Sequence, residues 1–303
     1  MAENSIRVIC GPTGAGKSGI AMSIALEYSA TIISADSRQI YRGFDIGTAK
    51  PGPSELKAVT HQGIDVADPR ERYSAARWAH QTKQWIPDAR ARGSTPVIVG
   101  GTGFYLRALF DPLFVAPVVS PERRARLEQI LGSMSVVELR RWCATLDPER
   151  SHLGRTQLVR AVETALLTGE RISKLHARET TEPEIKARYL VVDPGASLST
   201  RIVHRVDRML DAGWANEVRS LAGHVPDDAP AWKSSGYRVV RSFVEGALQL
   251  SEARDRIIIE TRQYAKRQRT WFRHQLGAAP VTCVNPDAPD CPATVERWWK
   301  ESS

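Results

Sequence analysis

Eight residues near the start of the chain, Gly11-Pro12-Thr13-Gly14-Ala15-Gly16-Lys17-Ser18, limit the folds open to it more than any other stretch. They match the phosphate-loop spacing G-x-x-x-x-G-K-[ST] at every fixed position. The apolar run Ile6–Cys10 before them reads as a buried strand. Ser18–Tyr28 after them reads as a helix whose apolar face holds Ile20, Ile24 and Leu26. The glycines allow the backbone to wrap a phosphate closely, with amide N–H groups and the positive helix end facing the anion. Lys17 adds a mobile point charge, and Ser18 Oγ is placed to ligate a Mg²⁺ that bridges phosphate oxygens. The motif specifies a pyrophosphate-bearing ligand of the nucleotide-binding kind, without specifying ATP. A glycine-rich turn with no ligand is the plainer alternative, and the flanking strand and helix argue against it.

The first hundred residues continue the rhythm that this unit begins. Strands are expected at Arg7–Cys10, Thr31–Ala35 and Pro96–Val99, with helices at Gly16–Tyr28 and Ser74–Arg92. Alternating strands and helices predict an α/β fold, a P-loop-type doubly wound parallel sheet. After Asp111-Pro112-Leu113 the pattern becomes helical, at Pro121–Leu131, Ser135–Ala144 and Thr156–Thr168. Ser135 and Glu138 form a capping box, and Gly169 is a helix stop. Arg188–Val192 reads as a return to the sheet. The chain therefore divides into a core of residues 1–114 and 189–303 and a helical insert of residues 115–188. Two long helices are expected at about Leu198–Leu221 and Ser251–Leu276, then a short strand at Val281–Val284 and a last helix.

Composition narrows the class of partner. The 303 residues carry a net charge of +8, which suits a polyanionic partner as well as a generally basic enzyme. Cys10, Cys143, Cys283 and Cys291 are scattered without zinc spacing and read as reduced thiols, with no cysteine metal site. There is no secretory signal pattern and no apolar run of membrane-spanning length, so the expected location is cytoplasmic with no membrane partner.

Three further segments carry candidate chemistry. Asp36, in Ser34-Ala35-Asp36-Ser37-Arg38-Gln39, follows the second strand and should lie near the phosphate loop. It suits a Mg²⁺ ligand, a general base or a turn-capping aspartate. Gly100-Gly101-Thr102-Gly103 follows the third strand, where glycines permit close approach of a bulky ligand or simply make a tight turn. Arg262, Lys266, Arg269 and Arg273 form a basic ridge beside a stripe of Ile257, Thr261, Tyr264, Gln268 and Trp271. This is a pattern for a nucleic-acid backbone with stacked bases, or a solvated face over a core tryptophan. Arg201 and Arg205 share a helix face and could fork an anionic leaving group or simply form a solvated face.

Taken together these segments resemble the tRNA dimethylallyltransferase (tRNA isopentenyltransferase) family. The resemblance runs through Gly11-Pro12-Thr13…Gly16-Lys17-Ser18, Asp36-Ser37-x-Gln39-Ile40-Tyr41-Arg42-Gly43 and Asp45-Ile46-Gly47-Thr48-Ala49-Lys50-Pro51. It continues in Tyr73-Ser74-Ala75, Gly100-Gly101-Thr102 and Thr261-Arg262-Gln263…Ala265-Lys266-Arg267-Gln268. The run from Asp36 to Pro51 is far more specific than the phosphate loop. The resemblance implies transfer of a dimethylallyl group from dimethylallyl diphosphate to N6 of the adenine 3′ of the anticodon in tRNA, with Mg²⁺. Asp36 would be the base, and Thr13, Lys17 and Arg205 would act on the diphosphate held by residues 11–18. Ser37 and Gln39 would read the flipped adenine, with Arg38 beside them. Thr102, Arg124, Thr156, Gln157, Arg160, Lys266, Arg267 and Arg269 would contact the tRNA anticodon stem-loop, and the chain would work as a monomer.

The sequence departs from the family in the insert. The usual N-D-P-Q-R run is replaced by Leu153-Gly154-Arg155-Thr156-Gln157, while Arg160 and Glu163 keep their places and Arg155 would restore lost charge. Three other readings compete. They are an adenylate isopentenyltransferase acting on free nucleotides, a small-molecule or nucleotide kinase using ATP, and a non-catalytic tRNA-binding protein. The insert and basic ridge argue against the first, the Asp36–Pro51 run against the second, and Asp36 together with Lys17 and Ser18 against the third.

Overall fold

The computed structural model describes residues 5–111, 120–178 and 185–301. The chain folds as two compact units, Met1–Phe110 with Glu184–Ser303, and Asp111–Pro183. The expected boundary at Val115 lies outside the described residues, as do Pro112 and Leu113.

The first unit is built on six parallel strands, β1 (Ser5–Cys10), β2 (Ala30–Ser34), β3 (His61–Gln62), β4 (Thr95–Gly100), β5 (Lys186–Val192) and β6 (Val281–Val284), in the order β3-β2-β4-β1-β5-β6. Successive residues Val8 and Ile9 of β1 are both fully buried, and every residue of β2 is buried. Strands that are apolar on both sides require cover on both faces, which the helices supply. On one face α1 (Lys17–Tyr28) and α13 (Cys291–Lys300) pack Ala21, Ile24, Ala25, Trp298 and Trp299 against Ile9, Val97 and Leu190. Leu26, expected on the apolar face of α1, is 61% exposed, because the buried stripe runs through Ala21, Ile24 and Ala25 instead.

After the short α2 (Pro53–Ala58), α3 (Ala75–Ala91) starts on the Ser74 side chain, which accepts from the Arg77 amide. Next, α4 (Gly103–Phe110) follows β4 directly. The single helix expected over Leu198–Leu221 is two, because Gly213 at φ 92° turns the chain between Leu198–Asp211 and Trp214–Ala222. The C-terminal basic helix, Leu250–His274, is one element.

The second unit is helical, with α5 (Pro121–Ser133), α6 (Val136–Leu146), α7 (Arg155–Thr168) and α8 (Ile172–Arg178). Its core is Leu131, Leu139, Cys143, Leu158, Ala161, Val162 and Ile172. The Ser135–Glu138 box caps α6 reciprocally, at 2.7 Å and 3.3 Å, and Gly169 stops α7 at φ 73°. Asp147, fully buried, accepts from both the amide and the hydroxyl of Ser173 at 3.0 Å and 2.6 Å, which fixes the start of α8. In chain order after β5, the helices of the first unit are α9 (Leu198–Asp211), α10 (Trp214–Ala222), α11 (Tyr237–Val244) and α12 (Leu250–His274).

Candidate active site

Strand register dictates where the site forms. Cys10 pairs with Gly100 and Val191, and Ser34 pairs with Val99, so the ends of β1, β2, β4 and β5 lie level. The loops that leave them begin at Gly11, Ala35, Gly101 and Asp193 and open on one edge, the usual ligand edge of a parallel sheet.

The phosphate loop is shaped for close backbone approach. A Cβ on Gly11, whose φ is 141°, would lie 2.2 Å from the Val192 carbonyl oxygen, so only glycine lets β1 leave the sheet beside β5. The loop is then pinned from a distant helix. The Thr13 amide donates to Gln268 Oε1 at 2.8 Å, and Gln268 Nε2 donates to the Gly101 carbonyl at 2.8 Å. One side chain of α12 thus ties the loops after β1 and β4 together. The cost of losing it is about 1–3 kcal/mol, because each buried backbone group would go unpaired. Sequence reading placed Gln268 on the aromatic stripe and missed this clamp. The signal was there: a glutamine recurring with Ile257, Thr261 and Ala265 on a buried face must find polar partners.

The second glycine loop makes room for α12. A Cβ on Gly101 would meet Gln268 Nε2 at 2.3 Å, and one on Gly103 would meet Trp271 at 2.3 Å. The space left by these two glycines is filled by α12.

Lys17 Nζ donates to the Pro12 carbonyl at 2.8 Å. Burial pushes its pKa down from 10.5 to about 8, with the Asp36 carboxylate opposing that shift. Burial likewise lowers the pKa of Arg205 while Asp36 raises it. Thr13, Asp36, Arg38 and Arg205 line one cavity together with Tyr264 and the apolar side chains Val206, Met209, Trp214 and Ile257. Asp36 Oδ1 accepts from the Arg38 amide at 2.8 Å. The turn-capping role is therefore real, and it fixes the carboxylate at the cavity wall. Ser18 is exposed in the first turn of α1.

The signature from Asp36 to Pro51 is held by its own polar residues. Ser37 N donates to Thr102 Oγ1 at 3.0 Å, joining the loops after β2 and β4. Gln39 Nε2 donates to the carbonyls of Thr48 (3.3 Å) and Ala49 (3.0 Å), and its Oε1 accepts from Ser34 Oγ at 2.9 Å. Both ends of that amide are taken, so Gln39 shapes the loop, and the geometry does not carry its expected reading of a base. Lys50, only 4% exposed, donates to the Tyr41 carbonyl and to Asp45, both at 2.6 Å, and to Asp65. Glu217 of α10 accepts from the amides of Asp45 and Ile46 and from the Tyr237 hydroxyl.

Other expected site residues divide into committed and exposed. The Arg201–Arg205 fork does not form, because Arg201 pairs with Asp287 while Arg205 lines the cavity. Arg269 is bound by Asp193 and the Gly195 carbonyl, which latches α12 to the loop after β5. Arg262, Lys266, Arg267 and Arg273 remain exposed, with the Arg267 guanidinium 5.9 Å from the Tyr264 ring centre.

In the second unit Arg124 pairs with the buried Glu163, which ties α5 to α7. Gln157 Oε1 accepts from the Gly154 amide at 3.1 Å and caps its own helix. Arg155 donates to the carbonyls of Met134 (2.5 Å), Gly132 (2.9 Å) and Leu131 (3.4 Å), closing the end of α5. It is a C-terminal cap and not the replacement charge expected of it. Thr156 and Arg160 are exposed.

The description "IPP transferase" belongs to the family model that matches residues 39–275, and a model described as "Isopentenyl transferase" matches residues 4–71. A tRNA dimethylallyltransferase of Anaeromyxobacter sp. is 40% identical over 302 residues, covering 97% of this chain and 99% of its own. One from Deinococcus radiodurans is 37% identical over 286 residues, with 92% of each chain covered. Among solved structures, the full-length tRNA isopentenylpyrophosphate transferase of Bacillus halodurans superposes with a TM-score of 0.67 at 29% identity, covering 98% of this chain and 99% of that one. The parallel sheet with its phosphate loop, the Asp36–Pro51 signature clamped beside it and these full-length matches agree, and the chain belongs to the IPP transferase family.

Proposed function

We propose that this chain transfers a dimethylallyl group from dimethylallyl diphosphate to N6 of the adenine immediately 3′ of the anticodon in tRNA, releasing diphosphate. The observation that carries this reading is the single cavity on which Thr13 of the phosphate loop, Asp36 and Arg205 converge among apolar side chains. It offers an anion cradle, a carboxylate and a hydrocarbon wall, as an allylic diphosphate requires.

The diphosphate occupies the loop amides of residues 14–18, and Lys17 exchanges the Pro12 carbonyl for a phosphate oxygen. The adenine N6 lone pair is delocalised into the ring, so the amine is a weak nucleophile. Asp36 takes its proton as the N6–C1 bond forms, a form of help worth about 10²–10⁴-fold. The C1–O bond breaks and its electron pair leaves with the diphosphate, whose growing charge is met by Lys17, Arg205, Thr13 and the loop amides. Among the described residues no group of three or more His, Cys, Asp or Glu side chains could hold a metal. The exposed Ser18 hydroxyl would be the group to hold a Mg²⁺, which would offset phosphate charge.

The adenine must leave its stack to reach the cavity, at a cost of a few kcal/mol. Ser37, Arg38 and Thr102 flank its entry. Lys266 and Arg267 of α12, with Thr156 and Arg160 of the helical unit, supply exposed contacts to the anticodon stem-loop. Residues 115–188 serve as the tRNA-gripping insert. One chain holds every residue used, so a monomer suffices. The cytoplasm, where tRNA is charged, is the site of action. Among the described residues no helix is long and apolar enough to cross a membrane.

The test is transfer of labelled dimethylallyl diphosphate, with Mg²⁺, to an unmodified anticodon stem-loop bearing adenine 3′ of the anticodon. Label on the RNA is expected. Label on AMP but not on RNA would overturn the reading in favour of a free-nucleotide enzyme, and phosphate transfer from ATP would do so in favour of a kinase.

A further inference from the structure

The most exposed large apolar side chain of the first unit stands at the edge where the site forms. Among the described residues of that unit, Phe104 is 67% exposed, ahead of Leu26 and Ile259, and the other large apolar side chains left exposed there are aliphatic. Tyr105 and Leu106 beside it are buried, whereas Arg107, one turn on, is exposed. The outer stripe of α4 is thus an aromatic ring followed by an arginine.

Topology places this ring. Only Gly101 and Thr102 separate β4 from α4, so the first turn of α4 stands at the ligand edge of the sheet and later turns recede from it. Side chains of a helix tilt towards its N-terminus, which leans Phe104 back towards that edge. Two contacts tie the turn to the rim of the cavity. Thr102 Oγ1 accepts from the Ser37 amide at 3.0 Å, one residue from Asp36. Gly103 lies so close to Trp271 that a Cβ would meet the indole. Spacings of three and four residues put Trp271 on one face of α12 with Arg267 and with Tyr264, which lines the cavity.

An exposed phenyl ring carries a hydrophobic cost that a partner covering it recovers. Aromatic rings interleaved with cations suit unpaired bases, ring on base, with the cations on the phosphates. Arg107, Lys266 and Arg267 are all exposed and supply those cations. The transfer reaction creates a base in need of such a partner. Extruding the acceptor adenine removes one layer from the loop's stack and leaves the faces of its neighbours bare.

We propose that Phe104 stacks on a base next to the flipped adenine and stands in for the layer that the adenine vacates. This rests on the transfer reaction proposed above. Phe104 is a positioning residue, which touches the RNA and not the reacting atoms.

The experiment measures binding of the intact protein to a dye-labelled anticodon stem-loop by fluorescence anisotropy, alongside single-turnover transfer. Phe104→Ala should bind about 5–150-fold more weakly, the worth of one base–aromatic stack. Its melting temperature, donor KM and salt slope of binding should not change. Phe104→Trp, which keeps a stacking face, should bind as the parent does. Stem-loops with an abasic residue on the 5′ or the 3′ side of the target adenine complete a double-mutant cycle. At one of these two sites the abasic loss and the Phe104→Ala loss should not add. Unchanged binding by Phe104→Ala overturns the proposal, and so do losses that add at both sites. Parent-like binding by Phe104→Leu also overturns it, because apolar bulk without a ring would then suffice. A parent chain that transfers nothing to RNA defeats the reaction and this inference with it, whereas normal transfer with any of the three binding failures defeats the stacking role alone.

Discussion

The sheet edge of the first unit and the helical unit of residues 111–183 use charged residues in opposite ways. At the sheet edge, level strand ends deliver Thr13 and Asp36 to one cavity, α9 adds Arg205, and Lys17 sits in the phosphate loop close to Thr13. In the helical unit, Arg124, Arg155 and Gln157 are consumed by the scaffold, holding a buried glutamate, a helix C-terminus and a helix N-terminus. The lesson concerns topology. A parallel sheet converges its loops, so a polar residue just past a strand is near the ligand by construction. A helical bundle has no such focus, and orphan carbonyls compete with any partner for each arginine.

This contrast can be broken by experiment, beginning where the effect is greatest. Asp36→Ala should reduce kcat for transfer by about 10²–10⁴-fold while tRNA binding persists. Near-normal turnover in single-turnover assays would place the base elsewhere. Gln268→Ala should destabilise by about 1–3 kcal/mol through two unpaired backbone groups and weaken donor use more than tRNA affinity. Calorimetry with donor titration separates the two, and an unchanged donor KM would show that the clamp is not needed.

The third prediction concerns pH. Lys17 titrates at about 8 in the folded protein against 10.5 ordinarily. The cation that grips diphosphate is therefore lost as pH rises through 8, and kcat/KM for the donor should fall up to about tenfold per unit above it. The sign for stability is reversed. Between pH 8 and 10.5 the unfolded chain holds a proton that the folded one does not, so this group makes folding more favourable as pH rises. A fall in activity over that window with no fall in melting temperature identifies Lys17 and not unfolding.

The smallest effects test the helical unit. Arg155→Ala should cost about 1 kcal/mol of that unit's stability, with the salt dependence of tRNA binding unchanged. Arg160→Ala should leave stability alone and reduce the salt slope of binding by about one. If the two variants exchange behaviours, the division between scaffold and contact in this unit is wrong.

Much of the core was legible because periodicity and strand–turn–helix order are local. The strands at residues 5–10, 30–34 and 95–100 and the caps at Ser135 and Gly169 follow from neighbouring residues. Three things were not legible, each because a distant partner decides it. Gln39 was read as facing a base, but Ser34, Thr48 and Ala49 take its amide. Gly101 and Gly103 were read as room for a ligand or as a tight turn, and what decides them is the approach of α12. Arg201 was read as half of an anion fork or part of a solvated face, and Arg269 as part of a nucleic-acid ridge, but Asp287 and Asp193 hold them. The helix break at Gly213 was missed because the apolar pattern runs through it on both sides.

The Thr13–Gln268 hydrogen bond spans 255 positions of sequence, and this sets an order of events during synthesis. The phosphate loop leaves the ribosome well before the helix that clamps it. Its clamp is made roughly 10–50 s later, at ordinary translation speeds of about 5–20 residues per second. Until then the loops after β1 and β4 have no common tether, and β6 has not yet covered the edge of β5. A nascent chain that stalls before the basic helix therefore carries the whole diphosphate motif in an unlocked state. The tie between the two loops is therefore made only when α12 closes on the phosphate loop.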